Sequence, residues 1–246
     1  MLFFRKRKNE AALPAQVLAF METDIHSHLL PGIDDGVPDT ATAVYFIEQL
    51  QLMGIKKIIT TPHIMMDRYP NSAITMATPY QEVLDALTAK NIPIPLYHAA
   101  EYYMDEQFEA LMQKPLLTLS GNMVLVEISF MSAPPQLHKW LFDLQSAGYQ
   151  PVLAHPERYA YFHSNADAYR QLKNQGCLLQ INLLSLTGYY GKHIQQAAEK
   201  MLDTQMADLI GTDLHHEKHL QAIANIATNK KLRKVLEHYP FRNKTL

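Results

Sequence analysis

The chain is short of cysteine, of net charge and of long apolar runs, and each shortage removes a class of protein. Among 246 residues only Cys177 is a cysteine. No intramolecular disulfide can form, so the fold rests on its core, and a reducing compartment suits it. The formal net charge is −2. Bulk electrostatics therefore point to neither nucleic acid nor an anionic membrane as partner. No apolar stretch approaches the roughly 18 residues that a membrane-spanning helix needs. No Pro/Gly/Ser-rich linker and no internal repeat divides the chain. The start, Met1-Leu2-Phe3-Phe4-Arg5-Lys6-Arg7-Lys8, is basic, but the apolar segment behind it (11–21) is short and broken by Pro14 and Gln16. A secretory signal is not expected. The expectation is a cytoplasmic protein with a solvated tail over 1–20 and one domain over 21–246. A weak basic tether to an anionic membrane or an acidic partner is the rival reading of the tail.

What the chain does have is histidine, 12 of them, and their placement is not uniform. In Thr23-Asp24-Ile25-His26-Ser27-His28-Leu29-Leu30-Pro31-Gly32-Ile33-Asp34-Asp35-Gly36, two histidines stand one residue apart in an apolar setting. On an extended strand, residues i and i+2 face the same way. His26 and His28 can thus offer two imidazoles to one ion, and a turn-rich stretch can bring Asp35 back over them.

The same arrangement recurs downstream. Apolar β-rich runs at 57–61, 94–100, 124–128, 152–154, 178–182 and 208–212 follow the first. Between them, helical periodicity and Gly or Pro punctuation predict helices over 39–53, 78–90, 105–113, 134–148, 165–175 and 193–203, with two more at 218–226 and 230–238. Seven strands alternating with helices imply a parallel sheet. The runs end in His63, Glu101, His155, and Asp213 with His215, while Glu127 sits inside the fourth. An open sheet would spread these ends along a line. A parallel barrel gathers them on one face, where active sites form. The expectation is therefore an α/β fold, a closed or nearly closed seven-stranded parallel (β/α)7 barrel.

The candidate ligands are His26, His28, Asp35, His63, Glu101, Glu127, His155, Asp213 and His215. Imidazole and carboxylate without thiolate suit Mn, Fe, Zn or Mg. Nine donors are too many for one ion. Two or three ions sharing a carboxylate fit better, and such clusters clamp the oxygens of an in-line phosphoryl displacement.

The motifs Asp24-Ile25-His26-Ser27-His28, Asp34-Asp35-Gly36, Thr61-Pro62-His63, Ala100-Glu101, Val126-Glu127-Ile128-Ser129, Ala154-His155-Pro156-Glu157-Arg158-Tyr159, Gln180-Ile181-Asn182 and Thr212-Asp213-Leu214-His215 resemble, in order, the polymerase-and-histidinol-phosphatase (PHP) superfamily. Within it they are most similar to the bacterial tyrosine-protein phosphatases of capsular and exopolysaccharide operons. The resemblance implies a trinuclear site in a distorted seven-stranded barrel, manganese first among the metals. His26, His28, Glu101 and Asp213 would hold one ion. Glu101, Glu127 and His155 would hold a second, and Asp35, His63 and His215 the third. It also implies a tyrosine kinase of polysaccharide synthesis as substrate. Rings occur among the relatives, but the helix after Pro38 lacks the charged residues expected for that contact, so a homo-oligomer is left open.

Arg158 leaves the same strand end as His155, and a guanidinium there can grip phosphate oxygens. Arg68, after His63, is a second substrate-binding candidate. Cys177 is set aside as a phosphatase nucleophile, because a phosphate-cradling loop needs an Arg six residues on and that position is Leu183. His98, His138, His163, His193, His219 and His238 read as ordinary core or surface residues, and His216 is left out.

The expected reaction is hydrolysis of phosphotyrosine by hydroxide from a bound water whose pKa falls to about 7. A phenolate of parent pKa roughly 10 leaves without a strong acid. The rivals are a phosphatase of small esters such as histidinol phosphate, an amidohydrolase, and a non-catalytic metal-binding module. The amidohydrolase reading wants a metal-bridging lysine on the fourth strand, where Glu127 stands. The binding-module reading would be favoured by a degenerate ligand set, and all nine positions are intact.

Overall fold

The computed structural model describes residues 16–165 and 167–246. The basic stretch at residues 1–8 lies outside them. Short runs rich in Ile, Leu and Val form nine strands: β1 (Thr23–Asp24), β2 (Lys57–Thr60), β3 (His63–Ile64), β4 (Leu96–His98), β5 (Glu101–Tyr103), β6 (Met123–Glu127), β7 (Gln150–Ala154), β8 (Leu178–Asn182) and β9 (Leu209–Gly211). Every ladder is parallel. The strands form two sheets, ordered β1-β2-β4 and β3-β5-β6-β7-β8-β9.

A single barrel of seven strands was expected, and the described residues instead form nine strands in two sheets with no closed ladder. The cause is local. Two of the seven runs each continue, past a break, into a second short strand. Thr61-Pro62 interrupts one, where proline has no N–H to donate to a ladder, and Ala99-Ala100 interrupts the next. The split halves stay connected, with Ala99 N donating to Thr60 O (2.8 Å) and Glu101 N to Pro62 O (3.1 Å). The first and last runs also meet. His28 N donates to Leu214 O (3.0 Å) and Asp213 N to His26 O (2.7 Å). Thr212 adds its N–H and hydroxyl to the Asp24 carboxylate, at 3.0 and 2.7 Å.

Period-two alternation sorts the strand residues between two clusters. Ile58, Val124, Val126, Leu153, Leu179 and Ile210 belong to the large core shared with the helices. Their neighbours Ile59, Leu125, Val152 and Leu209, with Ile25 and Ala99, form a second, smaller core. Strands buried on both faces read as continuous apolar runs, which is why they were legible.

Helices follow the strands: α1 (Thr40–Leu52), α2 (Ala73–Ala89), α3 (Phe108–Leu111), α4 (Leu137–Ser146), α5 (Ala168–Asn174), α6 (Lys192–Asp203), α7 (Glu217–Ala224) and α8 (Lys230–His238). Asp39 caps α1, its Oδ1 accepting from Thr42 N at 2.7 Å. α2 starts five residues before its expected start at 78. Ser72 and Thr75 form a reciprocal capping box there, which outweighs the interior Pro79. Val17 and Leu18 are buried in the core, and Leu18 N donates to Met53 O (2.7 Å).

Candidate metal centre

The site is built where strand ends converge. His26 and His28 leave β1 fully buried, with their Nε2 atoms 3.4 Å apart. Each outer nitrogen has a partner: His26 Nδ1 faces Gln180 Oε1 (2.7 Å) and His28 Nδ1 faces Asp34 Oδ2 (2.8 Å). An acceptor at Nδ1 puts the proton there and leaves Nε2 free to ligate. Asp34 is itself fixed by the amides of Gly36 (2.9 Å) and His63 (3.0 Å). Two glycines make room for the pair. A Cβ on Gly36 would lie 2.3 Å from His28 O, and one on Gly211 2.5 Å from His26 Cβ.

The other donors close in around these two. Glu101 Oε2 lies 3.3 Å from His26 Nε2, 3.4 Å from His28 Nε2 and 3.1 Å from His63 Nδ1. Its Oε1 lies 3.2 Å from His155 Nε2, which is also 3.5 Å from Glu127 Oε1. Asp213 Oδ1 stands 3.3 Å from His26 Nε2 and 3.5 Å from His28 Nε2. Asp35 Oδ1 stands at the exposed rim, 3.4 Å from His63 Nε2 and 3.6 Å from His215 Nε2. All nine expected side chains thus lie together. Four groups of their ligand atoms lie within 4.8 Å of one another: His28, Asp35, His63 and His215; His26, Glu101 and His155; His26, His28 and Asp213; His63, Glu101 and Glu127. Glu101 shares its oxygens between neighbouring groups, and His28 joins the group of Asp35, His63 and His215.

Two of these residues are held in unusual backbone. His155 ends β7 with φ +35° and Asp213 follows β9 with φ +50°. Non-glycine residues seldom adopt this left-handed region, and surrounding structure must impose it. At both places it turns the chain just where a site residue leaves its strand.

The donor set fits a divalent cluster. Glu101 Oε2 has three imidazole nitrogens within 3.4 Å yet takes no hydrogen bond from any of them, and buried His155 Nδ1 has no partner either. Ligand atoms that converge without bonding one another suit a cation between them. The charge balance agrees. Burial works against ionised Glu101, but His26 and His63 hold it well below the usual carboxylate range. Burial and the Glu101 charge push Glu127 well above that range. Burial also opposes the Asp213 charge, which His26, His215 and Arg158 nevertheless keep ionised. Burial and the Arg158 charge push His155 down to about 4, so it stays neutral, the form that ligates.

The signature of a family described as "Capsular polysaccharide synthesis, CpsB/CapC" matches residues 22–240. The chain belongs to this family. CapC of Staphylococcus aureus is 30% identical over 194 residues, covering 78% of this chain and 76% of that protein. The tyrosine-protein phosphatase YwqE of Bacillus subtilis is 29% identical over 197 residues, covering 79% and 78%. A crystal structure from work on YwqE and on CpsB of Streptococcus pneumoniae, described as metal-dependent tyrosine phosphatases, superposes with a TM-score of 0.79 at 26% identity. That match covers 91% of this chain and 93% of the other.

In this CpsB/CapC family member the donors open into a cavity of about 560 Å³. Arg158 reaches it with Nη1 donating to Asp213 Oδ2 (2.9 Å), and its guanidinium lies 4.4 Å from the Tyr190 ring and 4.9 Å from the Phe130 ring. Arg68 is exposed at the rim, over Tyr69. His219, set aside in the sequence, also lines the cavity. It is buried, its Nδ1 faces Asp213 O (3.1 Å), and burial with neighbouring His216 lowers it to about 4. Its spacing of four from His215 was the available signal. Tyr190, which the sequence left open between a cleft wall and an exposed loop, lines the cavity too, while Phe130 and the supporting roles of Asp34 and Gln180 were missed.

Cys177 is buried, far from reactive, its thiol pushed up to about 12 by burial. Cys177→Ala should keep wild-type turnover and cost about 1 kcal/mol of stability. Thermal unfolding and a phosphatase assay on the same sample check both, and a collapse of kcat would reinstate cysteine chemistry.

Proposed function

We propose that this chain is a metal-dependent protein-tyrosine phosphatase that removes phosphate from the flexible phosphotyrosine tail of a tyrosine kinase in capsule or exopolysaccharide synthesis. The observation that carries this reading is Glu101 Oε2, enclosed by three imidazole nitrogens and bonded to none. The names of the YwqE and CpsB relatives support it. We place the protein in the cytoplasm, and no helix among its described residues is long and apolar enough to cross a membrane. We read residues 21–246 as one domain, its two sheets as one opened and distorted barrel, and its assembly state as open to a homo-oligomer.

Two or three divalent ions, manganese first, would be held by His26, His28, Asp35, His63, Glu101, Glu127, His155, Asp213 and His215. Such ions would supply hydroxide near neutral pH and positive charge to offset that of the phosphoryl oxygens. The rest falls to the chain. Gln180 and Asp34 keep Nε2 of His26 and His28 aimed inward. Asp213 fixes one arm of Arg158 and leaves its other N–H groups for phosphate oxygens. Arg68 at the rim offers a second positive charge to the incoming chain. A phenolate leaving group needs no strong acid, whereas an alkoxide does. A phosphotyrosine peptide should therefore turn over faster than phosphoserine or histidinol phosphate, and chelation should abolish all turnover. Faster histidinol phosphate hydrolysis would overturn the substrate assignment, and full activity after complete metal removal would overturn the chemistry.

A further inference from the structure

The segment after β6 carries two apolar side chains that the core does not use. Phe130 is 43% exposed and Met131 90% exposed, and Phe130 lines the cavity beside His155 and Arg158, with Tyr69, Tyr103 and Tyr190 elsewhere on its wall. An aromatic face left partly exposed inside a substrate-sized cavity can be covered by the aryl part of a ligand. The segment is tied down on both sides of its backbone. Ile128 N donates to Tyr159 Oη (3.1 Å), Tyr161 Oη donates to Ser129 O (2.7 Å), and Met131 N donates to Ser129 Oγ (3.1 Å). Phe130 is thereby presented as a fixed face. Its ring stacks on His155, with centroids 5.8 Å apart and planes 18° from parallel, and borders Arg158 at 4.9 Å.

We infer that Phe130 is a specificity residue: it forms the subsite for the aryl ring of the phosphoester and so selects aryl over alkyl esters. The inference rests on the phosphatase reading given above. A phosphoryl group held by Arg158 must send its ester carbon towards the cavity mouth, and Phe130 is the aromatic face adjoining that guanidinium on the His155 side. A substrate ring there gains an offset aromatic contact and covers the exposed part of Phe130. A serine or small alkyl ester leaves that face wet. Tyr190, at 4.4 Å from the guanidinium, holds Arg158 from its own ring face.

The test is calorimetric titration of the metal-loaded protein with two unhydrolysable probes, benzylphosphonate and propylphosphonate. Phe130→Ala should weaken benzylphosphonate about tenfold and leave propylphosphonate within about twofold, since one aromatic contact is lost and the phosphoryl contacts remain. Phe130→Tyr should restore the preference, and Phe130→Leu, which keeps the bulk, should not. Equal weakening of both probes would show that Phe130 merely supports Arg158, and no change in either would remove it from the site. Both outcomes overturn the inference. Because binding is read directly, the result stands apart from whether a phosphotyrosine peptide is turned over.

Discussion

Glu101→Gln is expected to remove metal and activity together. Glu101 is buried, sits in two of the four donor groups, and faces His26, His28 and His63 with one oxygen and His155 with the other. The substitution keeps shape and size but removes the charge that the imidazoles stabilise, and it points an NH2 at donor atoms. A shared carboxylate serves more than one ion, so its loss should not be confined to one. The expected fall in kcat/KM is about 10³-fold or more, the scale of losing several kcal/mol of transition-state charge stabilisation. Bound metal, measured by elemental analysis, should drop in the same sample, and excess metal should restore little. A variant that keeps its full metal complement and loses activity would show that Glu101 is not a shared ligand. One that keeps its activity would remove it from the centre.

The nine candidate side chains could be gathered from the sequence because parallel strands put their ends on one side. A polar residue closing an apolar run is visible locally, and topology does the rest. His26 and His28 needed only the strand period, and Glu127 only its place in a β-rich run. Partners that act across the fold left no such trace. Gln180 supports His26 from 154 residues away; its motif carried the family resemblance, but nothing local named the imidazole it would face. Asp34 sits next to the expected Asp35, yet which of the two faces the rim depends on the turn closed by Gly36. Phe130 was hidden because an aromatic residue after a strand usually joins the core. The split strands were unreadable for another reason: Pro62 and the Ala99-Ala100 pair break ladders without breaking the run. Likewise Leu18 reaches the core through a contact with Met53, which no local pattern encodes.

Arg158→Ala should leave metal content unchanged and cut turnover by about 10²–10³. Arg158 is not a ligand. Its Nη1 donates to the outer oxygen of Asp213, Oδ2 (2.9 Å), while Oδ1 is the oxygen facing His26 and His28. Asn182 Nδ2 also donates to Oδ2 (2.8 Å), so Asp213 keeps one anchor when the guanidinium goes. The guanidinium lies between the Phe130 and Tyr190 rings, so its direction is set before substrate arrives. A cation oriented in advance stabilises phosphoryl charge more in the transition state than in the ground state, and its loss therefore falls mainly on kcat. Removing one such donor costs roughly 2.7–4 kcal/mol, which sets the expected factor. Arg158→Lys should recover only part of it, because an ammonium has neither the fork nor the flat face that the two rings hold. The measurements are elemental analysis and steady-state kinetics on a phosphotyrosine peptide for both variants. Loss of metal in Arg158→Ala would make the residue a support of Asp213 rather than a phosphate clamp. A rise in KM alone at unchanged kcat would confine it to docking the substrate.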